Sequence, residues 1–406
     1  MTRPKKHWEN LHEDSTVVDL HTHPSLKSLL FHRNLGGGKR RFLATLKEAA
    51  FWPFSERITF PKLEQGGVDV MLSTAYILEQ GWIDDIKLIK WLFRLFPRVR
   101  KLVVEPSYFD ATNTMLDEME SQVEAYNLSR PESSKAVSIT QSVSELEDNL
   151  KAGVTSIIHS VEGAHSLQHH KDGAGDESLL DSVQHFFDRG VAYLTLAHFY
   201  PNQVVSPVFP YPEYGLKHLK WKQVLGRWDM NEGLTDLGTQ VVEKMLELGM
   251  LIDISHCTPK AKRQIFDIVE HHGKQSCLIA SHAGAFGVNP DMYNLEDHEI
   301  KWLADRGCAI GVIFMNYWIS PVDSKMGLKY IDQTLRHMIN VGGKDVVGLG
   351  TDFDGFTDPP DEITNIGELP RFTKYMCATG YYDDALIEKI LGGNALRTIK
   401  EGWGKK

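Results

Sequence analysis

The feature that most constrains the fold is a series of eight apolar runs of strand length, separated by segments with helical patterns. The runs are 17–20, 68–73, 154–160, 191–197, 251–255, 277–281, 309–314 and 346–351. Near-continuous apolar strands that alternate with helices indicate a parallel sheet covered by helices. Eight such units favour a closed (β/α)8 TIM-type barrel over a doubly wound open sheet, with residues 1–406 as one barrel domain. A ninth, weaker run at 136–140 is expected outside the main sheet.

Helix boundaries between the runs are marked by capping residues. Thr258 is a predicted N-cap, with Pro259 in the first helical position and Gly273 at the end of the helix. Thr235 and Gly249 bound another predicted helix in the same way.

Two stretches, 24–61 and 199–234, are too long to be simple connections. Both follow strands, so in a barrel both lie on the C-terminal face as active-site loop insertions. The first contains three consecutive glycines beside basic residues, which also fits a flexible surface insertion, whereas the second is rich in aromatic residues that are costly to leave in water.

Composition excludes several classes of protein. With 44 basic and 54 acidic residues the net charge is −10, which argues against nucleic acid as a partner. No apolar run approaches the roughly 18 residues of a transmembrane segment, and residues 1–10 lack the apolar region of a signal peptide, so we expect a cytoplasmic protein. The four cysteines include no CxxC pair, so any metal must be held by histidine and carboxylate.

Metal-capable side chains stand at the ends of six predicted strands. They are His21, Glu162, His198, His256, His282 and Asp352. A single histidine at a strand end is more often structural, but six such residues at the C-terminal ends of parallel strands converge on one mouth. The pattern therefore predicts a metal or catalytic site there.

The segment 19–23 (DLHTH) is the sharpest local motif. Residues two apart in a strand face the same side, so His21 and His23 can bind one ion. Glu162 can bridge two ions with its two oxygens, and His256 and His282 can complete a second site. Asp19 and Asp253 are candidates either for fixing a ligand imidazole or for structural hydrogen bonds. The interpretation of His218 is ambiguous. No functional role is predicted for the other histidines, which include His159, His165, His169, His170, His271 and His272.

The sequence resembles the membrane dipeptidase family, also called renal dipeptidase or peptidase family M19, within the amidohydrolase superfamily. The matching segments run in order through nearly the whole chain: Asp19–His23, Phe60–Ala75, Ser160–Ser166, Gly190–His198, Gly233–His256, Ser281–Ala285, Gly348–Gly355 and Gly393–Arg397. The combination of SVEGAHS, GMLIDISH and GTDFDG is far more specific than a generic HxH pair.

This resemblance implies two zinc ions per chain, although histidine and carboxylate ligands also accept Mn, Co or Fe. It places His21, His23 and Glu162 on one ion and Glu162, His256 and His282 on the other. It further implies that His198 binds the substrate carbonyl oxygen, that Asp352 acts on a metal-bridging hydroxide and carries its proton to the leaving amine, and that the chain forms a homodimer.

The sequence departs from the family pattern at two places. The first motif is usually HxD, whereas position 23 is histidine, so the site carries one more unit of positive charge. The arginine that holds the substrate carboxylate is also missing, because residues 289–297 contain no Arg or Lys, and Tyr293 or Asn294 stands near that place as a candidate substrate-binding residue. Basic residues of the long insertions are candidate replacements: Arg40, Arg41, Lys217, Lys220 and Arg227.

The leading hypothesis is a binuclear zinc hydrolase of amide (C–N) bonds, similar to a dipeptidase and acting on a small molecule. The missing arginine favours one alternative, an amidohydrolase of another class, whose substrate is an N-acyl amino acid, a lactone or a biosynthetic intermediate. A second alternative is a non-catalytic metal-binding pseudo-enzyme or regulatory partner. The complete set of reactive residues argues against it, since binding alone does not require that set.

Overall fold

The computed structural model describes residues 5–37, 55–85, 91, 100–101, 105–170, 178–209, 228–320 and 327–404. All nine predicted runs form strands, although their ends differ by a few residues from the predicted ones. The strands are β1 (Val17–Thr22), β2 (Val68–Tyr76), β3 (Val137–Ile139), β4 (Thr155–Glu162), β5 (Tyr193–Thr195), β6 (Leu251–Asp253), β7 (Leu278–Ala283), β8 (Ala309–Val312) and β9 (Val347–Leu349).

Eight strands form a closed parallel ring, which confirms the predicted (β/α)8 barrel. Neighbours follow the order β2-β1-β9-β8-β7-β6-β5-β4, and pairing of β2 with β4, from Val70↔Ser156 to Tyr76↔Glu162, closes the ring. The prediction that 136–140 lies outside the main sheet is only half right. That segment forms β3, which is outside the ring but pairs with the first residues of β4.

The strands of the ring are buried along almost their whole length. Parallel strands covered on both faces need apolar side chains at nearly every position, which is why they appear in the sequence as continuous apolar runs.

Helices cover the ring and follow most of the strands. They are α1 (His7–Asp14), α2 (Pro24–Phe31), α3 (Phe60–Gln65), α4 (Gln80–Asp85), α5 (Tyr108–Ser129), α6 (Val143–Ala152), α7 (Leu179–Asp188), α8 (Asp236–Leu248), α9 (Pro259–His272), α10 (Asp297–Asp305), α11 (Asn316–Ile319), α12 (Leu328–Gly342), α13 (Leu369–Thr379), α14 (Asp384–Glu388) and α15 (Asn394–Gly402). Within the described ranges, none of these helices combines the length and apolar character that crossing a bilayer requires.

The predicted caps are confirmed. The side chains of Thr235 and Thr258 accept hydrogen bonds from the first turns of α8 and α9, and Gly249 and Gly273 end these helices with φ of 76° and 66°. Such left-handed backbone is where glycine is favoured.

The two long insertions are described only in part. The first insertion is not wholly a loop, because its first residues form α2. This helix contacts α5 and β2, and its Leu26 and Leu29 side chains are buried. Residues 38–54 and 210–227 lie outside the described residues. The candidates placed there by sequence are therefore not located: Arg40, Arg41, Lys217, His218, Lys220 and Arg227.

Candidate metal centre

Seven residues predicted from the sequence meet at the C-terminal end of the ring. They are His21, His23, Glu162, His198, His256, His282 and Asp352, and each is at most 6% exposed. His21, Glu162 and His282 lie within strands, whereas His198, His256 and Asp352 each stand three residues after the end of β5, β6 or β9. The strands therefore bring together side chains that are up to 331 positions apart in the sequence.

Glu162 lies at the centre of this group. Its Oε1 atom is 3.4 Å from the Nε2 atoms of His21 and His282 and 3.5 Å from that of His256. Its Oε2 atom is 3.4 Å from His23 Nε2 and 3.5 Å from His198 Nε2. Five imidazoles thus point the same ring nitrogen at one carboxylate.

The imidazoles also approach one another in two pairs. The Nε2 atoms of His21 and His23 are 3.0 Å apart, and those of His256 and His282 are 2.9 Å apart. Two nitrogens bound to one tetrahedral zinc at about 2.0–2.1 Å would be about 3.3 Å from each other. The observed separations are somewhat shorter and lie in the hydrogen-bond range, so each pair is close enough to bind one ion after a small outward shift of the rings.

Burial fits the group to divalent cations. Desolvation lowers the pKa of His256 to about 4 and holds the pKa values of His21 and His282 well below their ordinary value, the neighbouring imidazoles adding to the effect for these two. These rings are therefore neutral, as metal ligands must be. Burial also raises the pKa of Glu162 to about 7 despite His198 and His23, and no described residue forms a hydrogen bond with Glu162 Oε1. A buried carboxylate with one unpartnered oxygen beside three neutral imidazoles is a group that a bound cation would stabilise.

In the part of the chain that the structure describes, three ligand groupings are compact enough for an ion, with all ligand atoms within 4.8 Å of one another. They are His21 with Glu162 and His282, His21 with His23 and Asp352, and Glu162 with His198 and His256. The structure therefore brings all seven predicted residues together, but these groupings do not divide them as the family resemblance does.

Asp352 faces His23, with its Oδ1 atom 3.3 Å from His23 Nε2. Burial opposes a charged His23 ring, but the Asp352 and Glu162 carboxylates outweigh it and raise the His23 pKa. Asp352 has a φ of 56°, and Gly355 lies so close that a Cβ there would be 2.1 Å from Asp352 Oδ1. Glycine at 355 therefore makes room for this carboxylate.

Glu79 is a buried site residue that sequence reasoning missed. Its Oε1 atom is 3.0 Å from His198 Nδ1 and accepts a hydrogen bond from the backbone N–H of Phe199 at 2.9 Å, while its Oε2 atom accepts one from the Tyr76 hydroxyl at 2.5 Å. Burial alone would raise the pKa of Glu79, but the charge and hydrogen bond of His198 outweigh burial and hold it well below its usual range. Glu79 is thus an ionised acceptor that orients the His198 ring.

A sequence signal for Glu79 did exist. Glu79 stands three residues after β2, as His198, His256 and Asp352 do after their strands. The apolar run predicted there ends at residue 73, whereas β2 continues to Tyr76. The three-residue distance between the end of the strand and Glu79 is therefore not visible in the sequence.

The two candidate supporting aspartates are fully buried. Asp19 accepts hydrogen bonds from the Thr351 N–H at 3.0 Å and the Thr351 hydroxyl at 2.6 Å. Burial nevertheless raises the pKa of Asp19 to about 6. Asp253 accepts hydrogen bonds from the hydroxyls of Thr195 and Ser281, both at 2.6 Å.

Tyr293 and Asn294 are buried beside the site and already engaged. The Tyr293 hydroxyl donates to the His282 carbonyl at 2.6 Å, and its ring stacks on Trp318 with centroids 3.8 Å apart. The Asn294 amide donates to the carbonyls of Asn289 and Trp318. The structure thus places Tyr293 next to His256 and His282, whereas Asn294 is held through its amide nitrogen and its Oδ1 atom has no hydrogen-bond partner among the described residues.

The family comparison covers nearly the whole chain. The profile of the membrane dipeptidase family (peptidase family M19) matches residues 5–402. A protein described as an uncharacterised protein in the pqqA 5' region, from Klebsiella pneumoniae, is 36% identical over 181 residues, which are 44% of this chain and 64% of that protein. Dipeptidase tcpJ from Claviceps purpurea is 27% identical over 255 residues, covering 62% of this chain and 52% of the relative. The chain thus spans between half and two thirds of the length of these curated relatives.

Solved structures share the fold. A metallopeptidase from Rhodobacter sphaeroides, crystallised with a phosphinate mimic of the dipeptide L-Ala-D-Ala, superposes with a TM-score of 0.71 at 20% identity, over 96% of this chain and 100% of that one. At this level of identity the likeness supports the barrel architecture.

Proposed function

Since the chain belongs to the membrane dipeptidase family, peptidase family M19, we propose that it is a metal-dependent hydrolase of amide (C–N) bonds with a dipeptidase-like reaction. One observation carries the proposal, namely the buried Glu162 carboxylate with five imidazole Nε2 atoms at 3.4–3.5 Å. Such a group of one buried carboxylate and five converging imidazoles suits metal binding and catalysis better than a structural core.

The proposed cofactor is a pair of zinc ions. His21, His23 and Glu162 would hold one ion, and Glu162, His256 and His282 the other. Bound ions of this kind lower the pKa of a water and polarise a carbonyl group. The short Nε2 separations within the two imidazole pairs support this division of the ligands.

His198 is proposed to bind the substrate carbonyl oxygen. Glu79 accepts from its Nδ1 side, so the Nε2 atom faces the centre, 3.5 Å from Glu162 Oε2. With its Nδ1–H on Glu79, the ring donates from Nε2 only as the imidazolium, which the ionised Glu79 carboxylate would stabilise. A donor fixed in this way before the reaction begins would stabilise developing negative charge without the cost of reorienting.

Asp352 is proposed to accept a proton from the attacking water and return it to the leaving amine. Its carboxylate is 6% exposed and lies on the His23 side of the centre. Because Asp352 also groups with His21 and His23 within ligand distance, a direct role as a metal ligand is the competing assignment. The retention of metal by an Asp352→Asn variant distinguishes the two roles.

The substrate is proposed to be a dipeptide or a related small amide. The absence of Arg and Lys from 289–297 favours a second candidate, an amidohydrolase of N-acyl amino acids or lactones. Within the described residues, the ion pairs of Glu162 and Asp352 are all with imidazoles. No lysine or arginine of the described ranges therefore pairs with either carboxylate.

A hydrolysis screen on zinc-loaded protein tests the proposal. L-L dipeptides, L-D dipeptides, N-acyl amino acids and lactones are compared by kcat/KM, with Glu162→Gln as the inactive control. Turnover of dipeptides supports the leading proposal, whereas turnover confined to the other classes supports the second candidate. A loaded protein that hydrolyses none of them would contradict both and support a binding role.

A further inference from the structure

One serine hydroxyl contacts two imidazoles of the centre. Ser281 Oγ is 3.0 Å from His21 Nδ1 and 2.8 Å from His282 Nδ1. The two rings stack with their centroids 3.7 Å apart. Ser281 belongs to β7 and is fully buried. His21 and His282 belong to different proposed ions, so a single hydroxyl contacts one ligand of each.

The direction of these hydrogen bonds follows from counting protons. The Ser281 hydroxyl has one hydrogen, and it lies 2.6 Å from Asp253 Oδ2, an atom that in a carboxylate can only accept. Ser281 Oγ must therefore use its two lone pairs to accept from the rings. Both imidazoles then carry their proton on Nδ1 and turn an unprotonated Nε2 towards Glu162.

The Tyr193 hydroxyl leads to the same result for His21. It lies 2.9 Å from His21 Nδ1, and it donates its hydrogen to the Leu20 carbonyl at 2.9 Å. Tyr193 therefore also accepts from His21 Nδ1–H. Two independent acceptors thus fix the same tautomer of this ring.

The Asp253 carboxylate that orients Ser281 is itself held from several sides. Its Oδ2 atom also accepts from the Thr195 hydroxyl at 2.6 Å, and its Oδ1 atom accepts from the Ser281 N–H at 2.9 Å and the Ser255 hydroxyl at 2.8 Å. These donors come from β5, β7 and the residues after β6. The direction of the Ser281 O–H bond is therefore built into the barrel.

We propose that Ser281 is a positioning residue that couples the two ions, because it holds one imidazole ligand of each in the tautomer that leaves Nε2 free. This inference rests on the proposed function. Loss of the hydroxyl should loosen a ligand of both ions, whereas loss of a ligand that serves a single ion should weaken mainly that ion.

The test compares two variants by zinc titration against a competing chelator. Ser281→Ala removes the shared acceptor. Thr112→Val is the control, since it also deletes a fully buried hydroxyl, which donates to the Tyr108 carbonyl within α5 and belongs to neither the centre nor the Asp253 contacts. We expect Ser281→Ala to weaken the binding of both ions about 10- to 100-fold, the usual cost of losing a group that orients a ligand, and Thr112→Val to change either affinity by less than about threefold.

A second measurement covers the case in which Ser281→Ala does not fold. Nitrogen chemical shifts of 15N-labelled histidine in the metal-free wild-type protein, with His21 and His282 assigned from His→Asn variants, should show Nδ1–H and unprotonated Nε2 for both rings. Nε2–H on either ring would overturn the proposal, as would the loss of only one ion in Ser281→Ala or an equal loss in Thr112→Val. The proposed function itself is tested separately, by measuring the zinc stoichiometry and the hydrolytic activity of the wild-type protein.

Discussion

Replacement of Glu79 by glutamine tests how much the charge behind His198 contributes. The amide keeps the size of the side chain, and its oxygen can still accept from His198 Nδ1 and the Phe199 N–H, which lie 3.0 and 2.9 Å from Glu79 Oε1. The variant therefore removes a negative charge while it preserves the hydrogen bonds that orient the ring.

The expected magnitude follows from these contacts. A hydrogen bond to a charged group contributes about 1.5–3 kcal/mol and a neutral one about 0.5–1.5 kcal/mol. Loss of the charge should therefore raise the activation free energy by about 1–1.5 kcal/mol, which is roughly a 5- to 12-fold decrease in kcat/KM. Glu79→Ala should cost more, since it leaves His198 Nδ1 and the Phe199 N–H buried without their acceptor.

The assay is initial-rate kinetics on the best substrate of the screen, with zinc content and thermal stability measured on the same preparations. The matched control is Glu120→Gln, because Glu120 also pairs with a buried histidine, His159 at 3.2 Å, but belongs to α5 on the outside of the ring. We expect normal zinc content in both variants and a slower reaction in Glu79→Gln alone. Unchanged kcat/KM in Glu79→Gln, or an equal loss in both variants, would refute the reasoning.

Four further predictions follow from the same structure. Dialysed protein reloaded with zinc should approach two equivalents per chain, and a plateau at one equivalent with full activity would contradict the proposed pair of ions. Asp352→Asn should keep both ions and lower kcat about a hundredfold or more, whereas loss of metal with unchanged turnover per remaining ion would make Asp352 a ligand. A dipeptide and its C-terminal amide should differ by less than about threefold in kcat/KM, since 289–297 provides no cation; a preference of tenfold or more for the free acid would show that another basic residue replaces the missing arginine. His159 and Arg189 lower the pKa of Glu120 to about 2. The ionised carboxylate therefore stabilises the fold above the unfolded pKa of about 4.3, and this stabilisation is lost as the pH falls towards 2. The Tm of Glu120→Gln should accordingly change less between pH 5 and pH 3 than the Tm of the wild type.

The barrel could be predicted from sequence because its strands are buried on both faces. Such strands appear as apolar runs that can be recognised without knowing which strands lie next to them. His198, His256 and Asp352 follow the ends of these runs in the structure. The convergence of the site residues followed from the parallel arrangement alone.

Features that depend on contacts between distant segments were not predictable in the same way. Glu79 was missed because β2 runs past residue 73 to Tyr76, and α2 was missed inside what looked like a loop. The Ser281 hydroxyl gives no sequence signal for its two imidazole contacts, since His21 is 260 positions away. Hydrogen-bond direction is a property of the assembled site and not of any local pattern.

The way the ring closes has a consequence for folding kinetics. Strand β1 pairs with β9 through Asp19 and Leu349, and this same closure brings His21 and His23 to Asp352. Contacts of such large sequence separation form slowly, because the entropy of closing a long loop is lost before the contacts are gained. Ions held by His21, His23, Glu162, His256 and His282, which come from segments far apart in the sequence, would therefore stabilise the native ring more than any partly closed state. Zinc should accordingly slow unfolding while leaving the folding rate almost unchanged.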